Sequence, residues 1–156
     1  MKGRILCLIL AIFWPAASLW SQGQAAIEEG RIRFCAMDIY LDSGSAPLAA
    51  YQLDFAATNG EVKIVGIEGG DHPAFKDPPF YDPKAMQHER VIIAAFSTAA
   101  SADLPSGRTR VATIHLMING TQKPQFALRL DVAADANGMK ISPKASFEER
   151  KVDEPK

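Results

Sequence analysis

The sequence predicts an all-β protein built as an antiparallel β-sandwich. Apolar and polar residues alternate along most of the chain, which is the pattern of strands with one buried face. The segments between these runs are rich in Gly, Asn and Pro, which favour turns. Helical periodicity is almost absent, with one short helical turn as a candidate in the stretch PKAMQHE. Six to eight such strands favour two packed sheets.

The N-terminus has the residue order of a secretory signal peptide. Lys2 and Arg4 precede the apolar run ILCLILAIFWPAASLW, and small residues follow up to Ala25. We expect residues 1–25 to be cleaved and the product to be secreted or periplasmic. The alternative is an uncleaved membrane anchor, which needs about 20 apolar residues, whereas this run is shorter and contains Pro15.

The remaining chain has the size of one domain. We expect a β-sandwich over residues 27–145 and a disordered polar tail over residues 146–156, because SFEERKVDEPK is charged and nearly free of apolar residues. The 17 Lys and Arg and 18 Asp and Glu are interleaved, so no surface for nucleic acid is predicted. No second apolar run follows the first, so we expect no membrane association after cleavage.

Loss of the signal peptide would also remove Cys7, leaving Cys35 as the only thiol. An internal disulfide is then impossible. A buried, inert thiol and an intermolecular disulfide both remain open for Cys35. The two tryptophans, Trp14 and Trp20, lie in the same N-terminal segment.

The first half of the chain contains one strand pattern with regular alternation and one with irregular alternation. In AYQLDFA, alternation places Tyr51 and Phe55 inward and Gln52 and Asp54 outward, so replacing Asp54 should leave folding almost untouched. RIRFCAMDIYL has an uneven phase, which predicts either a bulge at residues 35–37 or two short strands.

The later strands carry longer apolar patterns. RVIIAAFS is nearly continuous and predicts a central strand. Alternation in RVATIHLMI and QFALRLDVA predicts these inward residues: Ala112, Ile114, Leu116, Ile118, Phe126, Leu128, Leu130 and Val132. Asn119-Gly120 and Asn137-Gly138 predict hairpin turns, the second of type I′. Residues 119–121 also form an N-glycosylation sequon, although the turn is favoured. GMKIS predicts a short last strand.

A long connection, GGDHPAFKDPPFYDPKAMQHER, separates the third and fourth apolar runs. Its Asp-His and His-Glu pairs are possible metal ligands, but no ligand pair has helical i, i+4 spacing and no Cys cluster accompanies them. The prolines restrict the backbone instead. We therefore predict a structural loop without a metal, anchored to the sandwich by Phe75, Phe80 and Tyr81.

Catalytic signatures are missing from the sequence. The serines lack a Gly-x-Ser-x-Gly elbow, and His115 falls on the outward side of its strand pattern. We therefore expect no enzymatic activity and no cofactor.

The order of strands resembles that of the cohesin family. The residues that carry the resemblance span roughly 36–142 and include the Leu-Asp-Phe strand at 53–55, the Ile-x-x-Ile strand at 64–67, the Ile-Ile-x-x-Phe strand at 92–96 and the Gly-to-Ile segment at 107–114. The resemblance implies a nine-stranded jelly-roll sandwich related to carbohydrate-binding modules. It also implies a docking module that offers one flat sheet face to a calcium-loaded, dockerin-like protein in a polysaccharide-degrading assembly.

The resemblance also implies binding residues. Gln52 and Asp54 match positions that cohesins use to hydrogen-bond their partner, and short polar groups on a rigid strand are pre-organised for this role. Thr98 stands where an acidic residue is expected in a dockerin-binding domain. The chain differs there and at Ala95, where a larger apolar residue is expected.

A polysaccharide-binding module is the alternative function. Sugar platforms require flat aromatic faces, of which Trp is the best. Without Trp in the exported chain, this role would fall to Tyr and Phe residues, among them Tyr81 of the long connection.

Overall fold

A computed structural model describes residues 31–150, and alternation of buried and exposed side chains in this part of the chain produces eight strands. The strands are β1 (Arg33–Asp42), β2 (Ala50–Ala57), β3 (Glu61–Gly69), β4 (Phe80–Tyr81), β5 (Arg90–Phe96), β6 (Arg108–Asn119), β7 (Phe126–Ala134) and β8 (Lys144–Glu149). Three 3₁₀ turns lie at Pro73–Phe75, Pro83–Ala85 and Ser101–Asp103. The signal-peptide prediction lies outside the described residues.

The strands form two antiparallel four-stranded sheets, in the orders β3-β6-β1-β8 and β4-β5-β2-β7. Their inner faces enclose one apolar core, so the predicted antiparallel β-sandwich is confirmed. The described part of the chain contains eight strands, whereas the cohesin resemblance implies nine. No helix among residues 31–150 has the length and apolar character needed to cross a membrane.

The core follows the predicted alternation most closely in β2 and β6. Tyr51, Leu53 and Phe55 are buried, as are the four predicted β6 residues from Ala112 to Ile118. The Tyr51 hydroxyl donates a hydrogen bond to the carbonyl oxygen of Val111 at 3.0 Å, which ties the two sheets together across the core. Burial raises the pKa of this phenol well above its ordinary value.

The predicted disordered tail is wrong at its start, and its residues 151–156 lie outside the described part of the chain. Residues 146–149 belong to β8, which pairs with β1 from Met37↔Glu149 to Asp42↔Lys144. Phe147 packs against the core, in edge contact with Phe55 at a centroid distance of 6.0 Å. This aromatic contact and the ladder to β1 help to hold a charged segment at the edge of the sheet.

In β1 and β7, the side chains that face the core differ from those predicted from the sequence. In β1, Met37 and Ile39 point into the core while Phe34 is 68% exposed, so no bulge is needed at residues 35–37; the register shift lies between Ile39 and Tyr40. In β7, a register shift opposite Gln52 and Leu53 turns Val132 outward. The next residue, Ala133, is buried instead.

The two Asn-Gly turns depart from the predictions in different ways: the first does not join paired strands, whereas the second closes the predicted hairpin, between Ala134 and Lys140, with a different turn type. Gly120 follows β6, but β6 and β7 lie in different sheets, so this turn starts a crossing between sheets. At the second site only Gly138 has positive φ, at 75°, which excludes a type I′ turn because that turn needs two such residues. The predicted last strand is reduced to a single bridge between Ala134 and Lys140.

Candidate binding face

The outer surface of the β4-β5-β2-β7 sheet carries four of the seven large apolar side chains that are exposed in the described part of the chain. Strand register places Phe80, Ala94, Gln52 and Val132 in one row across four strands. The next row contains Ile92, Asp54 and Arg129. We call this surface the candidate face and define it by the following residues: Ala50, Gln52, Asp54, Phe80, Arg90, Ile92, Ala94, Phe96, Arg129 and Val132.

Large apolar side chains are exposed on the candidate face. Phe80 is 69% exposed and Phe96 is 63% exposed, and their rings lie nearly parallel, at 11°, with centroids 6.0 Å apart. Ile92 and Val132 are also exposed. Strand β5 therefore buries only one side of its apolar run, and the other side forms an apolar patch of the kind that marks interaction surfaces.

Asp54 lies at the centre of the polar part of this face. Its carboxylate accepts hydrogen bonds from Arg90 Nε at 2.9 Å, Arg90 Nη2 at 2.7 Å and Arg129 Nη2 at 3.0 Å. The Asp54 side chain is only 12% exposed, whereas both arginine side chains are more than half exposed. The hydrogen bonds from Arg90, together with the positive charge of both arginines, hold the pKa of Asp54 below its usual value despite desolvation.

Gln52 is joined to the same network. Its Nε2 donates to Asp131 Oδ2 at 3.2 Å, and the other carboxylate oxygen of Asp131 forms an ion pair with Arg129, 3.1 Å from its Nε. The two sequence-predicted residues, Gln52 and Asp54, are therefore brought together on one face. Both are engaged with neighbouring side chains, and the groups they leave exposed to a partner are the guanidinium groups of Arg90 and Arg129.

The other two predicted binding residues lie at or beyond the margin of this face. Thr98 is exposed in the segment after β5 and lines a shallow hollow with Phe96, Pro73 and Asp103. Tyr81 is paired with Ile93 in the short β4–β5 ladder and is partly buried against the core. The structure does not place either side chain within the Gln52–Asp54 network.

The long connection 69–90 is held by its own hydrogen bonds and aromatic contacts. His72 Nδ1 accepts from the backbone N–H of Ala74 at 3.2 Å and so caps the first 3₁₀ turn. Phe75 is buried and makes an edge contact with Tyr51, with ring centroids 5.3 Å apart. Phe80, in contrast, is 69% exposed and is not the anchor that the sequence predicts. Within residues 31–150, no group of three or more His, Cys, Asp or Glu side chains is arranged to hold a metal ion.

A second polar cluster lies on the outer face of the β3-β6-β1-β8 sheet. Asp38 accepts hydrogen bonds from Arg150 Nη2 at 2.6 Å and from Thr113 Oγ1 at 2.7 Å. Arg110 contacts Asp38 and also pairs with Asp71, which fastens the long connection to β6. Desolvation raises the pKa of Asp38, but hydrogen bonds from Arg150 and Thr113 outweigh it and keep this pKa low. The cluster satisfies its own charges, and its Arg150–Asp38 contact adds to the attachment of β8.

Cys35 is partly buried near the start of β1. Desolvation and the nearby carboxylate of Glu149 raise the pKa of its thiol, although Arg33 acts in the opposite direction. A raised pKa keeps the thiol protonated and lowers its reactivity, which favours the inert state over an intermolecular disulfide.

Sequence reasoning missed Arg90, Arg129 and Phe96 as members of the candidate face. Arg90 and Arg129 stand 36 and 75 residues from Asp54 and meet it only through strand register. Phe96 belongs to an apolar run that a buried central strand would also produce. One feature of the sequence could have indicated this role: the run is more apolar than is usual for a strand with one side exposed to solvent.

Comparison of the chain with protein-family models, with curated proteins and with solved structures finds no match. The cohesin resemblance therefore stays a prediction, and the candidate face rests on its own geometry.

Proposed function

We propose that this protein is a secreted or periplasmic, non-catalytic binding module that docks another protein through the candidate face. The observation that carries the proposal is the exposed apolar patch of Phe80, Ile92, Phe96 and Val132 on a rigid sheet. Protein interfaces combine an apolar centre with a polar margin and are enriched in aromatic residues and Arg. The candidate face has the same composition, with Arg90 beside the patch.

The chemistry of the face defines the partner further. Asp54 fixes Arg90 and Arg129 from beneath, so their guanidinium groups are held on the face while more than half of each side chain contacts solvent. Such groups bind carboxylates or backbone carbonyl oxygens. The partner we propose therefore presents apolar side chains to the aromatic patch and an acidic or carbonyl group to the arginines. A jelly-roll topology, a dockerin-like partner and a polysaccharide-degrading assembly belong to this proposal through the cohesin resemblance.

Polysaccharide binding is the second candidate function. The near-parallel rings of Phe80 and Phe96 give two exposed aromatic faces of similar orientation, on which sugar rings can stack. Ile92 and Val132 favour the protein partner, because these branched apolar side chains offer a sugar neither stacking nor hydrogen bonds.

The experiment compares capture by three immobilised proteins: the wild type, Phe96→Asp and Phe34→Asp. Phe34 is a matched control because it is equally exposed on the outer face of the other sheet. We expect the wild type and Phe34→Asp to retain the same protein from the secreted fraction of the producing organism, and Phe96→Asp to lose it. A chelator arm tests whether the partner needs calcium.

Two results contradict docking through this face. One is equal capture by Phe96→Asp and the wild type. The other is retention on insoluble polysaccharide that Phe96→Asp abolishes, with no protein captured, which establishes the second candidate instead.

A further inference from the structure

A cavity of about 470 Å³ lies between strands of both sheets at one end of the sandwich, away from the candidate face. It is formed where β1 and β7 begin and where β6 and β8 end. The size falls within the range of small-molecule sites, about 300–1,000 Å³. The lining side chains come from the following residues: Arg33, Met37, Ile118, Lys123, Pro124, Gln125, Phe126, Phe147 and Glu149.

The deep part of the cavity is apolar. Met37 and Ile118 are buried core residues, and Phe126 and Phe147 pack against that core. The two phenylalanine rings meet edge to face at 6.1 Å, and Phe126 also stacks on Phe55 at 5.5 Å. These contacts hold the aromatic wall in one arrangement, so an apolar ligand body would meet a preformed surface.

The wall formed by the β6–β7 connection is also fixed. The backbone N–H of Gln125 donates to Asn59 Oδ1 at 2.6 Å, and its carbonyl oxygen accepts from the Thr58 N–H at 2.8 Å. Pro124 has no N–H to offer. The backbone of Gln125 is therefore occupied, and the polar groups available to a ligand are its side-chain amide and the charged side chains.

The charged rim has one cation in excess. Arg33 and Lys123 are positive and Glu149 is negative. Arg33 and Glu149 lie 3.8 Å apart, so they partly neutralise each other. Lys123 is exposed at the start of the Pro124-Gln125 wall and favours an anion at the mouth of the cavity.

We propose that this cavity binds a small organic acid, with an aromatic or aliphatic body on the Phe126–Phe147 wall and its carboxylate at Lys123. The apolar interior selects the body and the excess positive charge selects the acid over a neutral or cationic analogue. The site is independent of the candidate face, since the two surfaces share no residue.

The test titrates the purified protein with three probes of the same size: 2-naphthoate, 2-naphthalenemethanol and 2-naphthylmethylamine. Binding is followed by calorimetry and by amide chemical shifts in NMR spectra. We expect saturable shifts for 2-naphthoate at the amides of Lys123, Gln125, Phe126 and Phe147, weaker binding of the alcohol and the weakest binding of the amine.

Charge-reversal variants assign the anion site. Lys123→Glu should weaken 2-naphthoate binding about three- to tenfold, which is the range for one partly exposed charge contact and its reversal. Lys140→Glu makes the same change at an exposed position outside the cavity and should leave the affinity unchanged. The proposal is overturned if the amine binds as tightly as the acid or if the two variants bind 2-naphthoate equally well. It is also overturned if no saturable shift occurs at these residues, which is the result expected if another part of the chain already fills the cavity.

Discussion

Arg90 donates two hydrogen bonds to the carboxylate of Asp54, from Nε to Oδ1 at 2.9 Å and from Nη2 to Oδ2 at 2.7 Å. Arg129 adds a third hydrogen bond from the opposite neighbouring strand. The carboxylate thus bridges β5, β2 and β7, and it supports the two guanidinium groups instead of facing solvent. The sequence pattern alone predicts an outward Asp54 whose replacement leaves folding almost untouched.

We predict that Asp54→Ala lowers the free energy of unfolding by about 1–2 kcal/mol, because three charge-assisted hydrogen bonds are lost and two arginines lose their shared counter-ion. The measurement is urea unfolding followed by circular dichroism. Glu148→Ala is the control, since the Arg108–Glu148 pair is mostly exposed and should change stability by less than about 0.5 kcal/mol. Equal effects of the two substitutions would show that Asp54 does not bridge the strands.

Core substitutions test the strand phase. Phe55 is fully buried, so Phe55→Ala should cost about 3–5 kcal/mol through loss of apolar contact and formation of a cavity. Phe126 is only partly buried at the cavity wall, so Phe126→Ala should cost less, about 1–3 kcal/mol. Denaturant unfolding compares the two, and a larger loss for Phe126→Ala would contradict the described packing.

Acid should destabilise the fold through three aspartates. Arginine contacts lower the pKa values of Asp54 and Asp71, and hydrogen bonds lower that of Asp38 despite desolvation. A carboxyl group with a lower pKa in the folded state binds fewer protons there than in the unfolded chain. Its stabilising effect is therefore complete above the unfolded pKa, about 3.9, and is lost as pH falls through the lower, folded value.

Melting temperatures from pH 6 to pH 2 measure this dependence. We expect a decline that begins near pH 4–5 and a shallower decline in Asp38→Asn, which cannot change its charge. A melting temperature that rises on acidification would contradict these directions.

Close backbone approach at Gly70 holds the long connection against β6. A Cβ atom at Gly70 would collide with the carbonyl oxygen of Arg110, so Gly70→Ala should destabilise the protein by about 1–3 kcal/mol. Gly66→Ala is the control, because its Cβ would meet only His115 side-chain atoms at ordinary contact distance, 3.5 Å. Thermal unfolding of both variants checks the prediction, and equal melting temperatures would count against this attachment.

The sequence predicts the sandwich well where alternation is regular and one face is strongly apolar, as in β2 and β6. The alternation misleads in β1, because Phe34 is apolar but exposed. Counting it as a core residue assigns the wrong side of the strand to the core. The sequence misses β8 because Phe147 and its few apolar neighbours stand among charges, and only pairing with β1 reveals the strand.

The candidate site is less predictable than the fold. Alternation places Gln52 and Asp54 on one face, but which residues lie beside them depends on the register of β5 and β7. A bulge in that register moves Val132 from the predicted core to the exposed patch. A shift of one residue reverses a side chain's direction, and local sequence does not specify it.

The most direct test of docking is site-specific photo-crosslinking in the producing organism. A benzophenone amino acid replaces Phe96 on the candidate face, and in a separate strain it replaces Phe34 on the opposite outer face. We predict one discrete crosslinked protein from position 96 and none from position 34. Crosslinking from position 34 alone, or none from position 96 with correctly folded protein, would contradict docking through the candidate face.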